Sequence, residues 1–221
     1  RKKIMKLKRT ELCDAVVGGI DLIVSRTGYT GEKMAFELFV HPDKAQELFR
    51  KLLEIGKPFG LVPVGLGARD SLRTEAGLPL YGHEMAGDLG NGVAEGGFGS
   101  YVKTYKPWFI GRDSFLAREA KRKGIVVRFR FDEQRVRMAH PGDPVVDDKG
   151  RVIGTVTSCA ADSEGYLLGQ AFVDMKFAKM DTKIFIYQGA PDKASKSPAE
   201  LSAGDRVTLP GAATVLRRFP K

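Results

Sequence analysis

From Gly124 onward the chain is cut into short runs in which apolar and polar residues alternate, each bounded by turn residues: 125–131, 151–158, 166–174, 183–188, 206–209 and 213–217. Alternation with a period of two places the apolar side chains on one face of an extended strand. Closely spaced strands of this kind bury that face by closing into a small all-β barrel or sandwich. Asp147-Asp148-Lys149-Gly150 and Ser163-Glu164-Gly165 mark two of the turns. In the first run Val127, Phe129 and Phe131 alternate with Arg128 and Arg130, which predicts a strand with one wet face. The surrounding stretch, 118–137, holds eight Lys/Arg against three acids. It lacks aromatic residues on the charged face, so it reads as solvated strand surface rather than as a phosphate-binding site.

The texture before Gly124 is different. Residues 16–26 read as two strands broken by Gly18-Gly19, and 35–40 as a further strand with Phe36, Leu38 and Val40 on one face and Glu37 and Phe39 on the other. His41-Pro42-Asp43 opens a helix whose apolar positions Ala45, Leu48, Phe49, Leu52 and Leu53 recur at three- and four-residue spacing until Gly56. A second helix is predicted over 66–76, with Arg69 and Arg73 four apart on one face, and a third over 112–123. The glycine-rich stretch 82–99 has no periodicity and reads as an ordered loop or a set of short turns. The expected fold class is therefore α+β: an α+β region in residues 1–123, then a small β-barrel in residues 124–221. Residues 189–204 are rich in Pro and Ser and read as an exposed excursion.

A formal net charge of +9 would suggest nucleic acid as a partner, but the excess sits at the ends. Six basic residues fall within 1–9 and three within 217–221, and the remainder balances 27 basic against 27 acidic side chains. No nucleic-acid partner is expected. Cys13 and Cys159 form no CxxC pair and have no histidine at metal-ligand spacing, so no metal is assigned and a reducing, cytoplasmic location fits. His41, His83 and His140 are isolated beside turn residues and read as loop positions. No apolar stretch approaches the ~20 residues of a membrane span. Arg1-Lys2-Lys3-Ile4-Met5-Lys6 has neither an initiator methionine nor the apolar region of a secretory signal, and reads as the interior of a longer polypeptide.

Generic catalytic strings are missing or weak. Gly97-Phe98-Gly99 lacks the third glycine of a dinucleotide fingerprint, there is no Walker A, HExxH or GxSxG string, and Ser100-Tyr101-Val102-Lys103 is a match of the kind that short patterns produce by chance. Longer strings are more specific. Ser25-Arg26-Thr27-Gly28-Tyr29-Thr30-Gly31-Glu32 is followed by Phe36-Glu37, and Gly67-Ala68-Arg69-Asp70-Ser71-Leu72-Arg73-Thr74-Glu75-Ala76-Gly77 by Tyr81-Gly82-His83-Glu84. Then come Glu95-Gly96-Gly97, Phe109-Ile110-Gly111-Arg112 and Gly154-Thr155-Val156-Thr157-Ser158. In this order the strings resemble the glycine-cleavage T-protein (aminomethyltransferase) family of tetrahydrofolate-dependent enzymes, from about residue 17 to residue 173.

That resemblance implies a folate-binding α+β region followed by a C-terminal β-barrel, with tetrahydrofolate as cofactor and a small one-carbon donor, including the lipoylated H-protein, as partner. It also implies that the aspartate associated with catalysis at the folate lies upstream of Arg1, so no catalytic residue is assigned. Carried over by motif, Glu37 corresponds to the family's buried carboxylate facing the pterin, whose 2-amino group and N3–H form a donor pair that a carboxylate meets bidentately. Arg69, in Ala-Arg-Asp, lies beside the folate, and Tyr29 offers an aromatic face to the pterin or aminobenzoate ring. One departure is an added residue between Tyr29 and Glu37, which preserves strand phase only if the turn absorbs it. The resemblance implies aminomethyl transfer in glycine cleavage. A folate-dependent demethylase of a small methylated substrate is an alternative that the sequence does not separate from it. A non-catalytic folate-binding paralogue in iron–sulfur assembly ranks lower, since Arg26-Thr27-Gly28-Tyr29 lacks the cysteine of that branch's Lys-Gly-Cys-Tyr motif.

Overall fold

The Gly18-Gly19 break is a tight hairpin: both glycines have positive φ, 59° and 81°, the left-handed conformation that a two-residue turn matching strand twist requires. It joins β1 (Leu12–Val17) to β2 (Ile20–Ser25), and β2 pairs on its other side with β3 (Glu37–Val40), all antiparallel. The computed structural model of the chain describes residues 2–188 and 210–220. The expected strand at 206–209 and the excursion at 189–204 lie outside the described residues. Cα packing divides the chain into two compact units, Arg1–Leu72 and Arg73–Lys221.

In the first unit one face of the sheet carries Cys13, Ile20, Leu22 and Val24, which cluster with Leu7 and with Leu48 of helix α2 (Pro42–Gly56). A short helix α1 (Lys2–Met5) precedes β1. The N-terminus of α2 is capped by His41, whose Nδ1 accepts from the Asp43 amide at 3.4 Å, and Pro42 occupies the first turn, where its missing N–H costs nothing. Of the predicted apolar positions on α2, Leu48 is buried and Leu52 packs on the core, whereas Phe49 is 56% exposed. The residue added after Tyr29 is taken up in the bends before β3, so Phe36, Leu38 and Val40 all still pack on the core. Helix α3 (Leu66–Glu75) follows and stops before Gly77.

The second unit holds α4 (Arg112–Glu119) and a closed barrel of β4 (Gly124–Gln134), β5 (Pro144–Val146), β6 (Val152–Ala161), β7 (Tyr166–Asp174), β8 (Lys183–Ile186) and β9 (Gly211–Leu216). The order around the barrel is β4-β7-β6-β5-β8-β9, and every pairing is antiparallel. The predicted alternation in β4 holds: Phe129 and Phe131 are buried and meet edge to face at 5.7 Å. Arg130 on the outer face lies 4.6 Å over the Tyr166 ring and 3.1 Å from Glu164. The α+β class with a C-terminal barrel thus stands. Residues 73–123 pack as one unit with the strands that begin at Gly124, tied to them by bonds such as Val126 N–H to Glu95 O at 2.7 Å and Arg218 Nη2 to Gly96 O at 2.9 Å. Helix α4 ends at Glu119 rather than at 123, where three consecutive cations, Lys121 to Lys123, follow. Among the described residues no helix is long and apolar enough to cross a membrane.

The 147–150 turn gives the barrel a pH-dependent element. Burial opposes ionisation of Asp147, but its carboxylate accepts from the Arg151 side chain at 2.6 and 2.7 Å and from the Arg151 and Lys149 amides at 2.9 Å. The carboxyl is therefore held below the ordinary aspartate range. A depressed native value stabilises the fold above the pH where an unfolded aspartate titrates, about 4, and that contribution is lost as pH falls through the native value. Asp147→Asn should lower the urea midpoint at pH 7 and by progressively less towards pH 2. A gap that stays constant with pH would overturn this assignment.

Candidate functional site

Within the first unit the Gly28-Tyr29-Thr30-Gly31 turn folds tightly back on itself. A Cβ on Gly28 would lie 2.4 Å from that of Ala35, so no larger residue fits there without moving the loop. This closure projects Tyr29 beside α3, where the Arg69 guanidinium carbon sits 5.9 Å from the Tyr29 ring centroid, at the outer reach of a cation–π contact. Both residues are half-buried. Apart from this contact the Arg69 side chain has no hydrogen-bond or ion-pair partner among the described residues.

Glu37 opens β3 opposite Ser25 of β2 and is exposed. The buried carboxylate that the resemblance implies is thus not found at this position. Leu38 and Val40 turn to the core, so Glu37 and Phe39 face outward and are exposed. Glu37 likewise has no side-chain partner among the described residues. The structure brings Tyr29 and Arg69 together and leaves the carboxylate of Glu37 uncommitted.

Sequence spacing paired Arg69 with Arg73 on one helix face, but the two have different surroundings. Arg73 is fully buried in the second unit. Its Nη1 lies 2.6 Å from Glu84 Oε2 and its Nη2 donates to Ser158 Oγ at 2.7 Å, while Ser158 donates to Glu84 Oε1 at 2.5 Å and the Leu80 amide to Glu84 Oε2 at 2.8 Å. Two neighbouring motif strings, those containing Arg73 and Glu84, therefore converge with the distant string containing Ser158 on one buried network. No local sequence signal distinguishes these residues as a group. The Glu-Gly-Gly string is also structural: Glu95 accepts from Arg118 Nε at 2.6 Å and from the Gly92 amide at 3.0 Å.

Other motif residues resolve simply. Lys103 Nζ donates to the Ser100 backbone oxygen at 3.0 Å, so the SxxK string is a turn contact. His41, His83 and His140 are exposed. Both cysteines are free, and the Cys159 thiol is pushed up to about 11 chiefly by burial. Among the described residues no group of His, Cys, Asp or Glu could hold a metal ion.

A Gly-Tyr-Thr-Gly turn lies against an Ala-Arg-Asp helix, in an α+β chain with a closed six-stranded barrel. Residues 3–106 match the GCVT N-terminal domain. The chain is 38% identical over 202 residues to an aminomethyltransferase of Alkaliphilus metalliredigens, covering 84% of this chain and 52% of the relative. It is 42% identical over 182 residues to that of Alkaliphilus oremlandii, covering 78% and 46%. The glycine cleavage system aminomethyltransferase T from Bartonella henselae superposes with a TM-score of 0.69 at 26% identity, over 89% of this chain and 48% of that one. The chain is similar in sequence and fold to the glycine-cleavage T-protein (aminomethyltransferase) family, and it spans about half the length of the curated relatives it matches.

Proposed function

We propose that this chain serves tetrahydrofolate-dependent aminomethyl transfer and that Tyr29, Glu37 and Arg69 contribute to the folate site. The observation that carries this reading is the uncommitted chemistry of the motif residues. Among the described residues Arg69 is a guanidinium whose partner is an aromatic face and Glu37 is a carboxylate without a partner, both within the first unit. These groups fit the ligand. The pterin edge offers two parallel donors to a planar carboxylate, its ring system stacks on an aromatic face, and the glutamate tail carries carboxylates that a guanidinium attracts. Tetrahydrofolate supplies the N5 amine that accepts the one-carbon unit.

This chain's side chains bind and orient the acceptor, and holding two reactants at attack distance is itself a large part of such catalysis. The one-carbon donor in this reading is the aminomethyl-lipoyl arm of an H-protein, in keeping with relatives named as aminomethyltransferases and as part of a glycine cleavage system. Calorimetric titration of tetrahydrofolate tests the site. Arg69→Ala should weaken binding about tenfold to a hundredfold, the value of a charge-assisted contact of roughly 1.5–3 kcal/mol. Tyr29→Ala should weaken it less, about two- to tenfold, because ring stacking is worth roughly 0.5–1.5 kcal/mol. Absence of binding to the unaltered chain, or an Arg69→Ala affinity equal to it, would overturn the proposal.

A further inference from the structure

The Tyr-Gly-His-Glu and Gly-Thr-Val-Thr-Ser strings meet in two places within the second unit. Their buried members, Glu84 and Ser158, share the hydrogen bond already described. The residues next to these, His83 on the loop and Thr155 and Val156 on β6, line one cleft of about 280 Å³. The loop that carries His83 is held from within. Its Gly82 amide donates to the Met85 oxygen at 2.7 Å, the Ala86 amide to the Asn91 oxygen at 2.7 Å, and Asn91 Nδ2 to the Glu84 oxygen at 3.2 Å. Across the cleft the Gly142 amide donates to the Val156 oxygen at 2.9 Å, which ties the turn before β5 to β6. The cleft is therefore preformed, so a ligand entering it has little ordering cost to overcome.

Val156, Leu89 and Pro141 give the cleft an apolar wall, while His83, Asp88 and Thr155 supply polar groups. None of these three side chains has a hydrogen-bond or ion-pair partner among the described residues, and no lysine or arginine is among the described residues that line the cleft. Apolar lining with a few polar groups is the usual form of a small-molecule site. We propose that this cleft binds a primary ammonium compound with a short apolar body. Asp88 gives the cleft a negative charge that no lining cation offsets, which favours a cation over an anion. A primary ammonium has three N–H donors and no acceptor, and the Asp88 carboxylate, an imidazole nitrogen of His83 and the Thr155 hydroxyl are three acceptors. The aliphatic body then lies on Val156 and Leu89. Because Asp88 is exposed, the attraction is modest and the dissociation constant is on the order of 1 mM.

Titration of n-butylammonium chloride into the full chain, followed by the NMR signals of the His83 ring and the Thr155 and Val156 methyl groups, tests this. Saturable shifts in the millimolar range are expected. Two probes isolate the chemistry: 1-butanol keeps the body without the charge, and butyltrimethylammonium keeps the charge without an N–H donor. Each should bind at least tenfold more weakly. Asp88→Asn should also weaken n-butylammonium at least tenfold, the size of a lost charge-assisted hydrogen bond. Thr155→Val should weaken it about three- to tenfold, and thermal unfolding of both variants confirms that they remain folded. Absence of saturable shifts at these residues, equal affinity for either control probe, or full affinity in both folded variants would each overturn the proposal.

Discussion

Replacing Glu84 by alanine is expected to destabilise the second unit by about 3–5 kcal/mol, because it leaves the Arg73 guanidinium buried without its counter-charge. Both side chains have zero exposure, and Arg73 has no route to solvent by which to recover hydration. For a unit of this size the loss corresponds to a fall in the thermal midpoint of roughly 6–20 °C. Glu84→Gln keeps the shape and the bonds from Leu80 and Ser158 in part, yet leaves the cation unbalanced, so it should fall on the same side. Ser158→Ala should cost less, about 1–3 kcal/mol, the penalty for one donor and one acceptor left unpaired. The discriminating measurement is a double-mutant cycle. Arg73→Met with Glu84→Leu removes both charges, and should be clearly more stable than the sum of the single changes predicts. Losses below about 1 kcal/mol for Glu84→Ala would show that water reaches the pair and that the network is not closed.

Tetrahydrofolate affinity is expected to fall about a hundredfold or more on Glu37→Ala, the loss of two charge-assisted hydrogen bonds of roughly 1.5–3 kcal/mol each. Glu37→Gln is the sharper variant. It keeps size and planarity but sets an amide donor against the pterin's own donors, so it should cost about as much as alanine. Unfolding without ligand should barely move in either case, since the side chain is exposed and has no partner among the described residues. Titration of tetrahydrofolate into both variants, beside thermal unfolding of each, separates a binding role from a structural one. Unchanged affinity in both would leave Glu37 as an ordinary exposed strand residue and remove it from the site.

Much of the local structure was legible because it is encoded by periodicity and punctuation. The alternation of Val127, Phe129 and Phe131 named the buried face of β4, Gly18-Gly19 named the hairpin, and His41-Pro42-Asp43 named the start of α2. Strand β5 was missed because its three residues, Pro144–Val146, are too few for alternation to register. The long motif strings carried the family, since several in a fixed order are far more specific than any one.

Sequence alone thus determined the α+β class, the barrel strands other than β5 and the turns, all of which rest on residues close together in the chain. Only the tertiary structure decided what each motif residue touches. Arg69 and Arg73 sit one helical turn apart with the same side chain, yet one lies half-buried over Tyr29 and the other is fully buried against Glu84 and Ser158. Glu37 faces away from the core as the alternation of its neighbours predicts, and only the structure shows that its side chain is exposed there. Burial and ion pairing depend on groups that arrive from distant points of the chain, 85 residues away in the case of Ser158 and Arg73, and a one-dimensional pattern holds no measure of that distance.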